Sequence, residues 1–362
     1  MADTLIMKVD PGTLTSIAAR LFEAGGLRKD DASVVAHDLV AANLRGLDSH
    51  GISRIPMYLE RIEHGVVNPK PDITVQNVFP AVSLVDGDDG MGFLAGHRAI
   101  EEAVALAEKN GIGLVGVRRS THYGMAALYV KDAIKKGYLS LAYTNSSPAL
   151  PVWGSRTAFL GASPFAAGVP GGKEEVPYVL DMAMTVIARG KIRLAATHGE
   201  SIASGLALDK EGAPTTDAAK AFEGVCLPFG GAKGSALAML MDLLAGVLTG
   251  ANYGGDVKSL YFDHSEPQNV GHLFIAIRPD LFVSKDEFEH RMDTFVKRAK
   301  ALPKAQGFEE ILIPGEPEEN TAVERLETGI PLTEEVIQTL QETGTKYGVD
   351  IAGILREGAL HS

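Results

Sequence analysis

The chain has 362 residues, 45% hydrophobic and 22% charged, with one cysteine and one tryptophan, which excludes a disordered chain and sets an expectation of about two domains. Its 46 acidic residues against 34 basic ones leave a formal charge of −12, and Arg118-Arg119 is the only adjacent arginine pair, so no nucleic-acid partner is expected. The single Cys226 rules out an intrachain disulfide and a cysteine-rich zinc cluster, which fits a reducing, cytoplasmic setting.

From the N-terminus, Met1 to Thr4 lack the basic and apolar regions of a secretion signal. Leu14, Ile17 and Leu21, then Val35, Leu39 and Ala42, repeat at helical spacing, with Thr13 and Asp30 as expected N-caps and Gly25-Gly26 as a stop. The period changes at Ala81: Val82, Leu84 and Val85 read as a strand, residues 96–110 as a helix and 112–117 as a second strand. A helix over 126–136, strands over 139–144 and 179–182 and a helix over 235–248 continue the alternation, so the middle of the chain reads as α/β, a sheet covered by helices. The stretch from Ser235 to Ala251 is interrupted by Asp242 and too short and glycine-rich to span a bilayer, so no membrane contact is expected. A last strand is predicted over 273–277, followed by helices over 288–300 and 334–343. Their apolar positions Phe288, Met292, Phe295, Val336 and Leu340 are expected to pack back on the N-terminal helices. The expected organisation is a helical segment over 1–75, an α/β domain over 76–284, and a helical segment over 285–362 packed with the first.

Four constellations carry chemistry. Gly90-Met91-Gly92-Phe93-Leu94-Ala95-Gly96 resembles a dinucleotide fingerprint, but its spacing is one residue too long and Arg118-Arg119 replaces the acidic ribose binder; it reads equally well as a strand-to-helix turn. Pro228 to Ser235 groups small residues and Lys233 ahead of an apolar helix, which suits an anion at a helix N-terminus, although a tight turn with a solvated lysine explains the same residues. In Asp48-Ser49-His50-Gly51-Ile52-Ser53-Arg54, the arginine offers the planar fork that a carboxylate needs; His50 and Arg54 share a helical face if the helix starts near Ser49, but not if it starts at Ser53. Thr121-His122-Tyr123-Gly124 follows a predicted strand, where a histidine can exchange protons near neutral pH. His97, His198, His264 and His272 show no metal-ligand spacing, no metal is expected, and no Gly-x-Ser-x-Gly elbow is present.

In order along the chain, Leu44 to Gly51, His122 to Gly124, Gly161 to Pro164, Asp181 to Ala183, Ala188 to Lys191, Pro214 to Asp217, Leu227 to Gly234 and Ile313 to Glu316 together resemble the type 2 malate/L-lactate dehydrogenase family, also called the malate/L-sulfolactate/ureidoglycolate dehydrogenases. The resemblance implies a mixed α/β fold with a nicotinamide-binding domain that is not a Rossmann fold, a homodimer with active sites near the subunit interface, and reversible hydride transfer between NAD or NADP, NAD ahead, and C2 of a small 2-oxo or L-2-hydroxy acid. It also admits reduction of a cyclic imino acid such as Δ1-piperideine-2-carboxylate, or, more remotely, a non-catalytic binding protein on the same fold. By the same resemblance His122 is the proton donor, with Arg54, His50, Ser49 and Asn145 at the substrate. Cofactor contacts would come from Asn145, Ser146, Ser163, Pro164, Asp181, Met182, Ala183, Met184, Ala232, Lys233, Pro314, Gly315 and Glu316. On this reading the Gly90 to Gly96 turn holds no cofactor. The chain departs from the family at Ser147, where some members carry a carboxylate suited to orient the histidine, at Ser163 in place of an asparagine before Pro164, and at Leu206 in place of a tryptophan.

Overall fold

A computed structural model describes residues 5–357; the expectation for Met1 to Thr4 lies outside them. In chain order the elements are β1 (Leu5–Val9), α1 (Pro11–Ala24), α2 (Lys29–Leu44), α3 (Ile55–Glu63), β2 (Thr74–Phe79), β3 (Val82–Asp86), α4 (Gly92–Asn110), β4 (Ile112–Ser120), α5 (Ala127–Lys135), β5 (Leu139–Thr144), β6 (Pro148–Pro151), β7 (Ala158–Gly161), β8 (Phe165–Val169) and β9 (Tyr178–Met182). They continue with α6 (Arg189–His198), β10 (Ala207–Leu208), α7 (Ala218–Glu223), β11 (Val225–Cys226), α8 (Ala232–Asp242), β12 (Val270–Ile277), α9 (Lys285–Lys300), α10 (Glu316–Thr328), β13 (Ile330–Thr333), α11 (Glu334–Tyr347) and α12 (Ile351–Glu357).

The centre is a mixed sheet of seven strands in the order β2-β3-β4-β12-β5-β8-β9. Only β3 and β4 are parallel neighbours; β12 runs antiparallel to both β4 and β5, and β8 antiparallel to both β5 and β9. The C-terminal ends of β3, β4, β5 and β9 therefore share one edge with the starts of β12 and β8. On one face α4 and α5 bury Ala99, Ile100, Ala103, Tyr129 and Val130 against Val115, Val117 and Phe274. That edge is where chain leaves the sheet in loops, and loops carry side chains toward a ligand.

A second core joins the two ends of the chain. Leu14, Ile17 and Leu21 of α1, Val35 and Leu39 of α2 and Tyr58 of α3 pack with Leu340 of α11 and Ile351 and Leu355 of α12. Strand β1 pairs with β13 beside them, a two-stranded ribbon that helical periodicity in the first seventy residues did not reveal. A third, smaller cluster gathers Leu150, Leu160, Met184, Ile192, Cys226 and Ala238 beyond β9.

Several sequence expectations need correction. Helix α1 is capped by Asp10, whose carboxylate accepts from the Thr13 N–H, and α2 follows Arg28, with Asp30 inside its first turn rather than at its cap. Helix α4 begins at Gly92, four residues early, because the Gly90 to Gly96 turn is itself helical from its third residue. The helix expected over 235–248 starts at Ala232 and changes to a π-helical turn over Leu243–Val247. Helix α9 lies against the turn between β8 and β9, where Asp293 accepts from the backbone N–H groups of Lys173, Glu174 and Glu175, and its Phe295 is 65% exposed rather than packed on the N-terminal helices. Among the described residues no helix is long and apolar enough to cross a membrane.

Candidate active site

His122 stands just past the end of β4, half-buried at the shared sheet edge. Its loop is held from behind. Gly92 N–H donates to Thr121 Oγ1 (2.9 Å), and Thr121 Oγ1 donates to Gly90 O (3.1 Å). A Cβ on Gly92 would collide with the carbonyls of Thr121 and His122, so only glycine lets α4 start this close to the histidine. Tyr129 on α5 donates to Tyr123 O (2.5 Å), and the Tyr123 ring stacks on His272 at 4.5 Å. His272 in turn joins β4 to β5 through Ser120 Oγ (2.8 Å) and Thr144 Oγ1 (2.7 Å).

Two groups meet Nδ1 of His122: the Tyr58 hydroxyl at 2.7 Å and the Gly124 N–H at 3.2 Å. A backbone N–H can only donate, so Nδ1 is the acceptor and the neutral ring carries its proton on Nε2. Burial, then the charge of Arg54 and the neighbouring His50 and His272, hold His122 well below the usual histidine range. Burial likewise keeps the Tyr58 phenol protonated.

The segment from Asp48 to Arg54 forms two short 3-10 turns, and α3 begins only at Ile55, with Pro56 in its first turn. The helical four-residue relation of His50 and Arg54 therefore does not hold. Folding joins them otherwise: the His50 ring stacks beside His122 at 5.9 Å, and Arg54 Nε donates to Ser49 O (2.5 Å). Burial and Arg54 push His50 down to about 3. Among the described residues no carboxylate pairs with Arg54, whose guanidinium lies 5.8 Å from the Tyr261 ring centroid. The terminal nitrogens of the fork are thus available to a bound acid.

Three supports escaped sequence reading. Tyr58 lies one turn beyond Arg54 on α3, a spacing that could have revealed it. Asn43 holds the turn by donating to Asp48 Oδ1 (2.7 Å) and accepting from Ile52 N–H (2.9 Å). Arg325 of α10 grips Asp48 with both terminal nitrogens, at 2.7 and 3.1 Å, and no local pattern links residues so far apart in sequence.

The residues considered for a cofactor separate into two groups. Backbone bonds from Thr144 N–H to Pro164 O (3.3 Å), Met184 N–H to Ala162 O (2.8 Å) and Phe229 N–H to Met184 O (3.0 Å) bring Asn145, Ser146, Ser163, Pro164 and Met182 to Met184 beside the start of α8. There Gly230 and Gly231 have φ of 60° and 65°, no side chain caps the first N–H groups of α8, and Lys233 is exposed. Asn145 itself is spent on backbone, accepting from Gly271 N–H (3.0 Å) and donating to Asn252 O (2.6 Å). Asp181 caps α5 through Ala127 N–H (2.8 Å), and burial pushes it up to about 6. Pro314, Gly315 and Glu316 sit back along β9, where Val179 N–H donates to Pro314 O (2.9 Å) and Glu316 accepts from Ile313 N–H (2.5 Å) and from Lys300.

Residues 9–341 match the family described as malate/L-lactate dehydrogenase. The chain belongs to that family. An L-sulfolactate dehydrogenase of Methanocaldococcus jannaschii is 39% identical over 90% of this chain and 93% of its own. The solved sulfolactate dehydrogenase structure from that organism superposes with a TM-score of 0.90 at 37% identity, covering 96% of this chain and 99% of the other. Two further relatives of this malate/L-lactate dehydrogenase family member are named with their cofactors: a ureidoglycolate dehydrogenase (NAD+) of Escherichia coli, 32% identical over 92% of this chain and 95% of its own, and a (2R)-3-sulfolactate dehydrogenase (NADP+) of Chromohalobacter salexigens, 34% identical over 90% and 95%. A Δ1-piperideine-2-carboxylate reductase from Pseudomonas syringae has a TM-score of 0.84 at 28% identity, covering 93% of this chain and all of the other. The relatives named here are dehydrogenases and one reductase, and the family member described here is an oxidoreductase on a mixed α/β fold.

Proposed function

We propose that the protein interconverts a small 2-oxo acid and its L-2-hydroxy acid with a nicotinamide cofactor. The observation that carries this reading is Arg54, a guanidinium with no acidic partner among the described residues, bonded to Ser49 O beside His50, whose ring stacks on His122 at 5.9 Å; after burial, its charge disfavours the His122 imidazolium. Burial is the larger cause of the lowered His122 pKa, and an anionic substrate on Arg54 offsets the second, so a bound acid shifts the balance toward the protonated ring.

The uncapped start of α8 and Lys233 fit an anionic pyrophosphate, and the edge formed by Ser146, Ser163, Pro164 and Met182 to Met184 fits the remainder of a dinucleotide. When bound, the nicotinamide supplies or accepts the hydride. In reduction the imidazolium of His122 gives its Nε2 proton to the substrate oxygen and keeps the other on Nδ1, and in oxidation the freed Nε2 takes the proton back; Arg54 orients the carboxylate, and Ser49 and His50 line the same side. The Tyr58 hydroxyl serves both states of His122, donating to a bare Nδ1 and accepting from a protonated one.

We favour NAD over NADP: the adjacent arginines are not free to take an extra phosphate, Arg119 being held by Asp86, Asp88 and Asp89 at 2.7 to 3.1 Å and Arg118 by Asp86. We further read the chain as a homodimer, supported by Leu237, Leu240, Leu243, Val247 and Leu248, which stand 41% to 63% exposed in one stretch of α8 and its π turn. The burial of α1 to α3 with α11 and α12 supports treating the two ends of the chain as one helical unit beside the α/β domain. Likeness to the piperideine carboxylate reductase supports a cyclic imino acid as the second reading, since that substrate also pairs a carboxylate with one group awaiting a proton.

The test follows oxidation of NADH and NADPH by the purified protein against a panel of 2-oxo acids and cyclic imino acids. Turnover dependent on one 2-oxo acid is expected. Turnover on imines alone selects the second reading, and silence together with no cofactor-induced stabilisation removes both.

A further inference from the structure

Beyond Arg54 and Tyr58, helix α3 carries Glu60 and His64 one turn apart, and the loop leading into β12 lays His264 against them. One potential ligand atom from each of the three lies within 4.8 Å of the other two. The rings of His64 and His264 are parallel to within 27°, with centroids 4.3 Å apart. Nδ1 of His64 is 2.8 Å from Glu60 O, an atom that only accepts, so Nδ1 bears the proton and Nε2 keeps its lone pair. This is how a metal-bound imidazole is commonly oriented, its second nitrogen donating to a backbone carbonyl. Nε2 of His264 is buried and has no hydrogen-bond partner among the described residues, although a buried imidazole nitrogen is normally paired.

We propose that Glu60, His64 and His264 bind a divalent first-row transition ion of the zinc type. Two imidazoles and one carboxylate suit zinc, nickel or cobalt, whereas magnesium and calcium demand oxygen donors. Helix and loop are already joined, and a rotation of one imidazole out of the stack lets both ring-plane lone pairs reach a single ion. Arg61, fully buried, holds the loop on α3 by donating from one nitrogen to the carbonyls of Ser259 (3.1 Å), Leu260 (3.4 Å) and Asp263 (3.1 Å). An ion at the three ligands adds a second clamp between helix and loop. Because Tyr261 on that loop lies beside Arg54, the clamp fixes the outer wall of the acid pocket without touching the reacting atoms. The spacing of Glu60 and His64 was open to sequence reading, and the approach of His264 was not.

The test titrates chelator-treated full-length protein with zinc by calorimetry, with magnesium in parallel, and follows the melting temperature. One zinc per chain and a raised melting temperature are expected, with no response to magnesium. His64→Gln and His264→Gln each weaken zinc binding on the order of 100-fold, while His198→Gln, on the exposed side of α6, changes nothing. Should a histidine variant fail to fold, Glu60→Gln removes an exposed ligand and is expected to weaken zinc in the same direction. No binding at millimolar zinc, or tight binding that survives all the ligand substitutions, overturns the site. None of these readouts uses turnover, so failure of the dehydrogenase reading and failure of the metal site remain separate results.

Discussion

The Tyr58 hydroxyl lies 2.7 Å from Nδ1 of His122, and among the described residues no carboxylate bonds to that ring. A neutral phenol fixes the ring without adding a negative charge, so it orients His122 while leaving its protonation to burial and to the charge at Arg54. Tyr58→Phe is expected to lower turnover by about 10- to 100-fold, the range for losing a hydrogen bond that orients a functional histidine. Loss of a donor to the neutral ring also moves the histidine limb of the pH–rate profile upward. An unmoved limb would show that Tyr58 only packs.

Arg54→Lys keeps the charge and loses the fork. A charge-assisted hydrogen bond contributes about 1.5 to 3 kcal/mol, so KM for the acid should rise by about 10- to 100-fold with a smaller fall in kcat. Equal losses in kcat and kcat/KM with KM unchanged would place the contribution of Arg54 in the transition state alone.

Arg325→Ala tests a contact that reaches the site from α10, because its grip on Asp48 holds the turn bearing Ser49 and His50. The expected result is a raised KM at nearly unchanged cofactor affinity, with a melting temperature lowered by a few degrees. Weakened cofactor binding of the same size would assign Arg325 a general structural role instead.

Stability should peak near pH 6.5, between two opposed histidine effects. Burial lowers His50 and His272 to about 3 in the folded chain, from 6.5. Their contribution is present above pH 6.5 and is lost as pH falls toward 3, where the unfolded chain takes up protons that the folded one does not. His97, bonded to Asp38 (2.7 Å) and Asp132 (3.0 Å), is raised to about 10 despite burial. Its contribution is full below pH 6.5 and is lost as pH rises toward 10. Melting temperature against pH should show both limbs, and His97→Gln should flatten the alkaline one. Survival of that limb in the variant would assign it to other groups.

Legibility differed from residue to residue. His122 and Arg54 could be found because each belongs to a short contiguous motif, and β5 could be placed to the residue because its alternation is undisturbed. Tyr58 was missed because a buried tyrosine on an amphipathic helix looks like any core residue. Strands β1 and β13 were missed because each is short and is satisfied only by the other, more than three hundred residues away.

By itself the sequence determined the α/β alternation, the family and the residue types that handle an acid and a proton, since these depend on local periodicity and contiguous motifs. Tertiary structure alone decided that His122 is neutral with its proton on Nε2, that Asn145 and Asp181 bond to backbone and Glu316 to Ile313 N–H and Lys300, and that His264 meets Glu60 and His64. Each of those facts depends on which donors, charges and carbonyls come within about 3 to 5 Å through space, and hydrogen bonds and desolvation act at that range whatever the separation along the chain.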